Sequence, residues 1–193
     1  MRYKRILSSN ILSLENRYKF NVENKYLIRL HEHGLFRLIT LQTEPEFSQV
    51  TKRIFFHSLL NNFVYQELFF DHYTQKSTGK HGPFLINNLN ERDFVRFSEE
   101  RIKHEIIQIV SSPKWSCPPI SKLALTEVKK LLEVFIPEGS ICYFLERCRD
   151  FNSSFNESQV YEHEWSHNLS SYYEYLVHDP KNNKIHMLIM TYE

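Results

Sequence analysis

Glycine is scarce in this chain, at 4 in 193 residues, and alanine occurs only at Ala124, while Asn, Ile, Lys, Phe and Tyr abound. That skew points to an AT-rich gene, and so to a microbial or mobile element, more than to any structural demand. Only three cysteines are present, Cys117, Cys142 and Cys148, an odd number with no C-x-x-C pair, which suggests neither a disulfide framework nor a cysteine zinc site. No apolar run reaches the ~18 residues of a membrane-spanning helix. The start, MRYKRILSSNILSLEN, is interrupted by Ser8, Ser9, Asn10 and Ser13 and lacks a small-residue cleavage site, so a soluble, unprocessed, cytoplasmic protein is expected. Internal repeats and low-complexity linkers are also missing.

What is present suffices for a core. Apolar residues make up 41% and aromatics 15%, too many for a disordered chain, and 193 residues suit one domain spanning 1–193. The net charge of +1 hides two ends of opposite sign. Residues 1–53 carry ten Lys or Arg against five Glu, and residues 131–193 carry four against ten Asp or Glu.

The hydrophobic period divides the chain into a basic part (1–53), a helical middle (44–136) and a strand-rich acidic part (140–193). NKYLIRLHEHGLFRLITLQT reads as two strands turning near Gly34, or a short helix stopped there and followed by a strand, with at least one strand favoured. Thr43, Glu44 and Pro45 signal a helix start, continued by Phe47, Val50, Ile54 and the apolar residues 59–70. Residues 74–84, with Gly79, Gly82 and Pro83, read as a loop. Asn90 is expected to cap a helix running to about Ser111, and a further helix is expected from Ser121 to Phe135, ended by Pro137 and Gly139. SICYFLERC alternates, and YYEYLVHDPKNNKIHMLIMTY reads as two strands joined through Asp179, Pro180, Asn182 and Asn183. The expected fold class is α+β: central helices packed on one face of an antiparallel sheet formed mainly by the C-terminal strands.

One stretch carries a chemical signature. In YEHEWSHNL, His163, Glu164 and His167 have the spacing H-E-x-x-H. On a helix both imidazoles would reach one zinc, and the Glu would sit beside the metal-bound water. These five residues resemble the zincin signature, and the resemblance implies His163 and His167 as ligands and Glu164 as general base. The flanks depart from it. Charged Glu162 precedes the first His, and Ser170 and Tyr173 stand where the extended form has Gly and the third His. Glu174 lies two helical turns beyond His167, too far to share the metal, so only His178 or His186 could complete the site after a chain reversal. A strand is equally readable over 157–170, and it would turn Glu164 away. Ten His and nineteen Glu make chance occurrence easy, so hydrogen-bonded or surface histidines without a cofactor are expected, with a zinc-dependent hydrolase as the alternative.

Other constellations are weaker. His31 and His33 offer two ligands without a third, the Gly-Lys pair of STGKHG lacks phosphate-loop spacing, and Cys117 has no His partner by spacing. The leading expectation is a non-catalytic protein-binding protein, an inhibitor or immunity-type protein or a small subunit of an assembly. Its acidic aromatic surface, Glu162, Glu164, Trp165, Tyr172, Tyr173, Glu174 and Tyr175, would hold a basic partner protein. A nucleic-acid-binding subunit led by Arg2, Lys4, Arg5, Arg17 and Lys19 is the third reading.

Overall fold

The structure, a computed structural model, describes residues 18–62, 65, 79–111, 120–153, 162–163, 166 and 169–192. The fold is α+β, built on a six-stranded antiparallel sheet. Its strands are β1 (Asn21–His31), β2 (Gly34–Gln42), β5 (Phe94–Phe97), β6 (Ile141–Leu145), β7 (Ser171–Asp179) and β8 (Lys184–Tyr192), in the order β1-β2-β8-β7-β6-β5. A two-stranded hairpin, β3 (Lys80–His81) and β4 (Phe84–Leu85), stands apart. The described residues also form helices α1 (Lys52–Leu60), α2 (Glu99–Ser111), α3 (Lys122–Phe135) and α4 (Arg147–Ser153), with short 3-10 turns at Pro45–Gln49, Ile86–Asn88 and Glu91–Asp93.

The two strands expected at the C-terminal end form as read. Asp179 accepts from the backbone N–H groups of Lys181 and Asn182, and Asn183 takes φ 54, a left-handed value that Asn tolerates, so the chain reverses between β7 and β8. The helix expected from Ser121 also forms: the Ser121 hydroxyl accepts from Ala124 N–H at 3.1 Å, and Ala124, Val128, Leu132 and Phe135 face inward. Near Gly34 the chain makes the hairpin reading, β1 to β2.

Three expectations are corrected. The helix signal at Thr43–Pro45 yields only a 3-10 turn, and a new cap at Thr51 starts α1. Asn90 does cap, but with Asp93 it closes a capping box around one 3-10 turn. β5 follows, and the helix begins only at Glu99. Finally, the central strands of the sheet are covered on both faces. β8 is buried continuously from Ile185 to Met190, the mark of a strand with no wet side. On one face, Phe55 and Phe56 of α1 pack on Tyr143, and Phe55 also meets His178. On the other, Phe135 of α3 meets His186, and Glu105 of α2 accepts from the Tyr175 hydroxyl. No helix among the described residues is long and apolar enough to cross a membrane.

Phe56 locks α1 to this architecture. Fully buried, it stacks on Phe94 of β5 at 4.2 Å between centroids and meets Tyr143 edge-on at 4.9 Å. Phe56→Ala should cost about 3–5 kcal/mol, measured as a fall in the urea midpoint at unchanged m-value.

Candidate functional site

The chemistry-bearing residues converge on one face of β7. Side chains alternate along a strand, so Tyr172, Glu174, Leu176 and His178 point the same way. Glu174 is wholly buried and its carboxylate is fully engaged. Oε1 accepts from the Tyr65 hydroxyl at 2.7 Å, and Oε2 accepts from the Tyr172 hydroxyl at 2.7 Å. His81 Nε2 lies 2.6 Å from Oε2, the range of a charge-assisted hydrogen bond. Tyr65 and His81 stack at 3.9 Å and 16°, and all four side chains are closed to solvent.

Burial alone pushes the Glu174 carboxyl up, but the His81 charge and the hydrogen bonds from His81, Tyr172 and Tyr65 override it and hold it below its ordinary value. Burial, reinforced by the Glu174 charge, pushes the Tyr65 and Tyr172 hydroxyls well up, so both stay donors. The cluster is therefore a closed carboxylate with a hydrogen-bond partner on each oxygen. It joins β7 to the β3–β4 hairpin and to Tyr65.

The hairpin in turn seats the segment that carries H-E-x-x-H. Gly82, at φ +55, brings the turn so close to Tyr172 that a Cβ there would lie 2.5 Å from the ring. His163 Nε2 bonds the Gly82 carbonyl at 2.9 Å, and the buried Ser166 hydroxyl donates to Pro83 O at 2.9 Å. Glu162 Oε2 accepts from Leu85 N–H at 2.7 Å and from the Asn88 amide at 3.0 Å, and Oε1 pairs with Arg147. Arg147 donates onward to Asn88 O at 2.7 Å. Glu162, His163 and Ser166 thus clasp the backbone at Gly82, Pro83 and Leu85 and the side chain of Asn88.

Several expected site residues change role. Tyr172, Glu174 and Tyr175 are interior rather than partner-facing, because β7 is a covered central strand. Glu162 is engaged in the clasp, while Tyr173 is half-buried. His178 is not brought to His163. His163 is tied to the Gly82 turn beside Tyr172, and His178 lies six residues further along β7, ~20 Å at the rise of a strand. His178 instead packs edge-on against Phe47 and beside Phe55, and His186 bonds Thr40 Oγ1 at 3.0 Å. His31 Nδ1 accepts from His33 N–H at 3.2 Å, so that pair shapes the hairpin turn. Lys19 is exposed. Glu164, Trp165, His167, Arg2, Lys4, Arg5, Arg17 and Cys117 lie outside the described residues, as do positions 63–64 and 66–78 apart from Tyr65. Among the described residues no three His, Cys, Asp or Glu gather as a metal site.

A shallow cleft of about 320 Å³ opens beside the clasp, between Arg53 and His57 of α1, with its C-cap Asn61, and Leu89 and Glu91 opposite. The sequence reading missed His81, Tyr65 and Arg147. Nothing in the spacing marks them, because their partners arrive from 93, 109 and 15 residues away. Comparison with protein-family models, with curated proteins and with solved structures finds no significant match for this chain.

Two measurements test the interior chemistry. Glu174→Ala leaves a buried imidazole and two hydroxyls without their acceptor and should destabilise by about 3–5 kcal/mol, read by denaturant titration at pH 7. The pH dependence follows from two other buried rings. Burial depresses His178 and His186 from 6.5 to about 4, with Asp179 partly opposing it. Between pH 6.5 and 4 the unfolded chain takes up protons that the folded one refuses. Stability should therefore fall as pH drops through that window, by at most ~1.4 kcal/mol per pH unit for each ring. His178→Leu should remove about half of that slope, and an unchanged slope would refute the assignment. The Glu174 contribution has the same sign but lies lower: present above the ordinary carboxyl range, it is lost as pH falls through the depressed folded value.

Proposed function

We propose that this protein acts by binding another polypeptide, as an inhibitor or immunity-type protein or as a small subunit of an assembly, and not by transforming a small substrate. The observation that carries the reading is where large apolar side chains meet solvent. Along the β1 edge Val22 and Leu27, the latter 62% exposed, project on one face and Tyr26 on the other, while Leu123 and Val134 are exposed three turns apart on one side of α3. The Tyr26 ring rests on Phe135 at 5.4 Å, which puts β1 and the Val134 end of α3 side by side. Apolar residues gathered on adjoining elements mark interaction surfaces, whereas scattered ones do not.

This contact surface differs from the acidic one read in the sequence. Glu174 is inside and Glu162 is clasped, so the case for a basic partner loses both residues, and the charge beside the new patch is positive: Lys25 and Arg29 are exposed on β1. The zinc hydrolase reading gains no support, since the described part of its motif, His163, is bonded to a carbonyl.

Chemical cross-linking in the native host, followed by mass spectrometry, should recover one stoichiometric polypeptide partner. Leu27→Asp combined with Val134→Asp should lose that partner while melting within a few degrees of the wild type, as exposed substitutions do. Recovery of no polypeptide by the wild type would defeat the binding reading. Stoichiometric zinc that disappears in His163→Ala would put the hydrolase first.

A further inference from the structure

Among the described residues β1 is an open edge of the sheet: only β2 borders it there, so alternate backbone N–H and C=O groups along its other side meet no described strand. Edge strands are usually short or distorted, and β5 at the far edge has just four residues. β1 has eleven. Its register with β2 breaks between Val22 and Asn24 and again between Arg29 and His31, and between the breaks Asn24–Arg29 pair without interruption. Six regular residues offer ~20 Å of edge.

The side chains of that window are sorted by the pleat. Lys25, Leu27 and Arg29 project on one face, with Leu27 between two exposed cations and Arg37, its cross-strand neighbour, half-buried beside it. None of these three cations takes part in an ion pair among the described residues, whereas Glu23 on the same strand is held by Lys184 at 2.8 Å. Tyr26, on the opposite face, is supported by Phe135. Among the described residues the edge thus presents backbone without a strand partner together with a plus, apolar, plus row.

We infer that residues Asn24–Arg29 of β1 accept an extended segment of an acidic partner as a seventh strand, the segment carrying carboxylates two residues either side of an apolar side chain. This rests on the protein-binding reading and names its partner class. Backbone pairing supplies the adhesion in such strand addition, and the alternating side chains supply selectivity. Carboxylates opposite Lys25 and Arg29 gain the cross-strand attraction, and an apolar residue covers Leu27. A second copy of this chain is the poorer fit. Antiparallel self-pairing centred on Leu27 sets Lys25 against Arg29, and like charges directly opposite repel. A nucleic acid would meet the cations but leave Leu27 and the strand backbone unmatched.

Four fluorescent probes test this on the full-length protein by anisotropy: a peptide alternating Thr with Glu, Val, Glu; the same peptide with Lys for Glu; the acidic peptide with Pro for a central Thr; and a single-stranded oligonucleotide of similar length. The acidic peptide should bind best, the lysine and proline peptides roughly tenfold or more weaker, and raised salt should weaken it. Amide hydrogen exchange should slow within 24–29 and not elsewhere on the sheet. Lys25→Glu with Arg29→Glu, both at exposed positions, should reverse the preference toward the lysine peptide. Equal binding of acidic and lysine peptides, undiminished binding of the proline peptide, or tighter binding of the oligonucleotide would each overturn the proposal. If the cross-linked partner is recovered equally by the wild type and by the doubly reversed variant, the protein still binds a polypeptide but not through this edge.

Discussion

A carboxylate sealed inside a protein needs its lone pairs answered, and that requirement at Glu174 organises the middle of this molecule. Leaving it ionised without partners would cost several kcal/mol in effective desolvation. Three donors meet it, and each comes from a different stretch of chain: Tyr65, His81 and Tyr172. His81 cannot serve without the β3–β4 hairpin being set down on β7. The hairpin cannot lie there unless residue 82 lacks a Cβ, because the Tyr172 ring occupies that space. Once seated, the hairpin offers the Gly82 and Pro83 carbonyls and the Leu85 N–H to His163, Ser166 and Glu162. A single buried charge thus fixes a chain of placements that ends at the molecular surface.

The two edges of the sheet are treated differently. At β5 the strand is short, and its Phe97 lies under the Arg101 guanidinium at 3.6 Å, so little is left for another chain to pair with. At β1 the strand is long and carries exposed apolar side chains. Lysine and arginine on an edge discourage self-association while leaving an oppositely charged strand welcome, so the same residues act against one class of contact and for another. Specificity of this kind needs no pocket.

Much of the architecture can be read from local pattern. β7, β8 and α3 are visible because alternation, a turn of Asp, Pro and Asn, and a Ser cap with helical spacing each agree with the tertiary outcome. β5 is hidden for a specific reason: Phe94 and Phe97 are three apart, which suits a helix face, yet in the sheet they point to opposite sides, each toward a different layer. The interior of β7 is hidden for another. A Glu between two Tyr reads as an exposed polar position, and only donors from remote segments reverse that reading. The H-E-x-x-H spacing shows the converse, a pattern legible in sequence whose described His is spent on a backbone carbonyl.

The pairing of β2 with β8 joins residues 34–42 to residues 184–192. During synthesis the β1–β2 hairpin leaves the ribosome with Phe36, Leu38, Ile39 and Leu41 already patterned for burial, but its neighbouring strand follows roughly 140 residues later. At ~5–20 residues per second, that interval is on the order of ten seconds. Throughout it the nascent chain displays a sticky ribbon with two open sides. The order of synthesis therefore separates the two halves of this pairing, and β2 gains its native neighbour only when the last strand emerges.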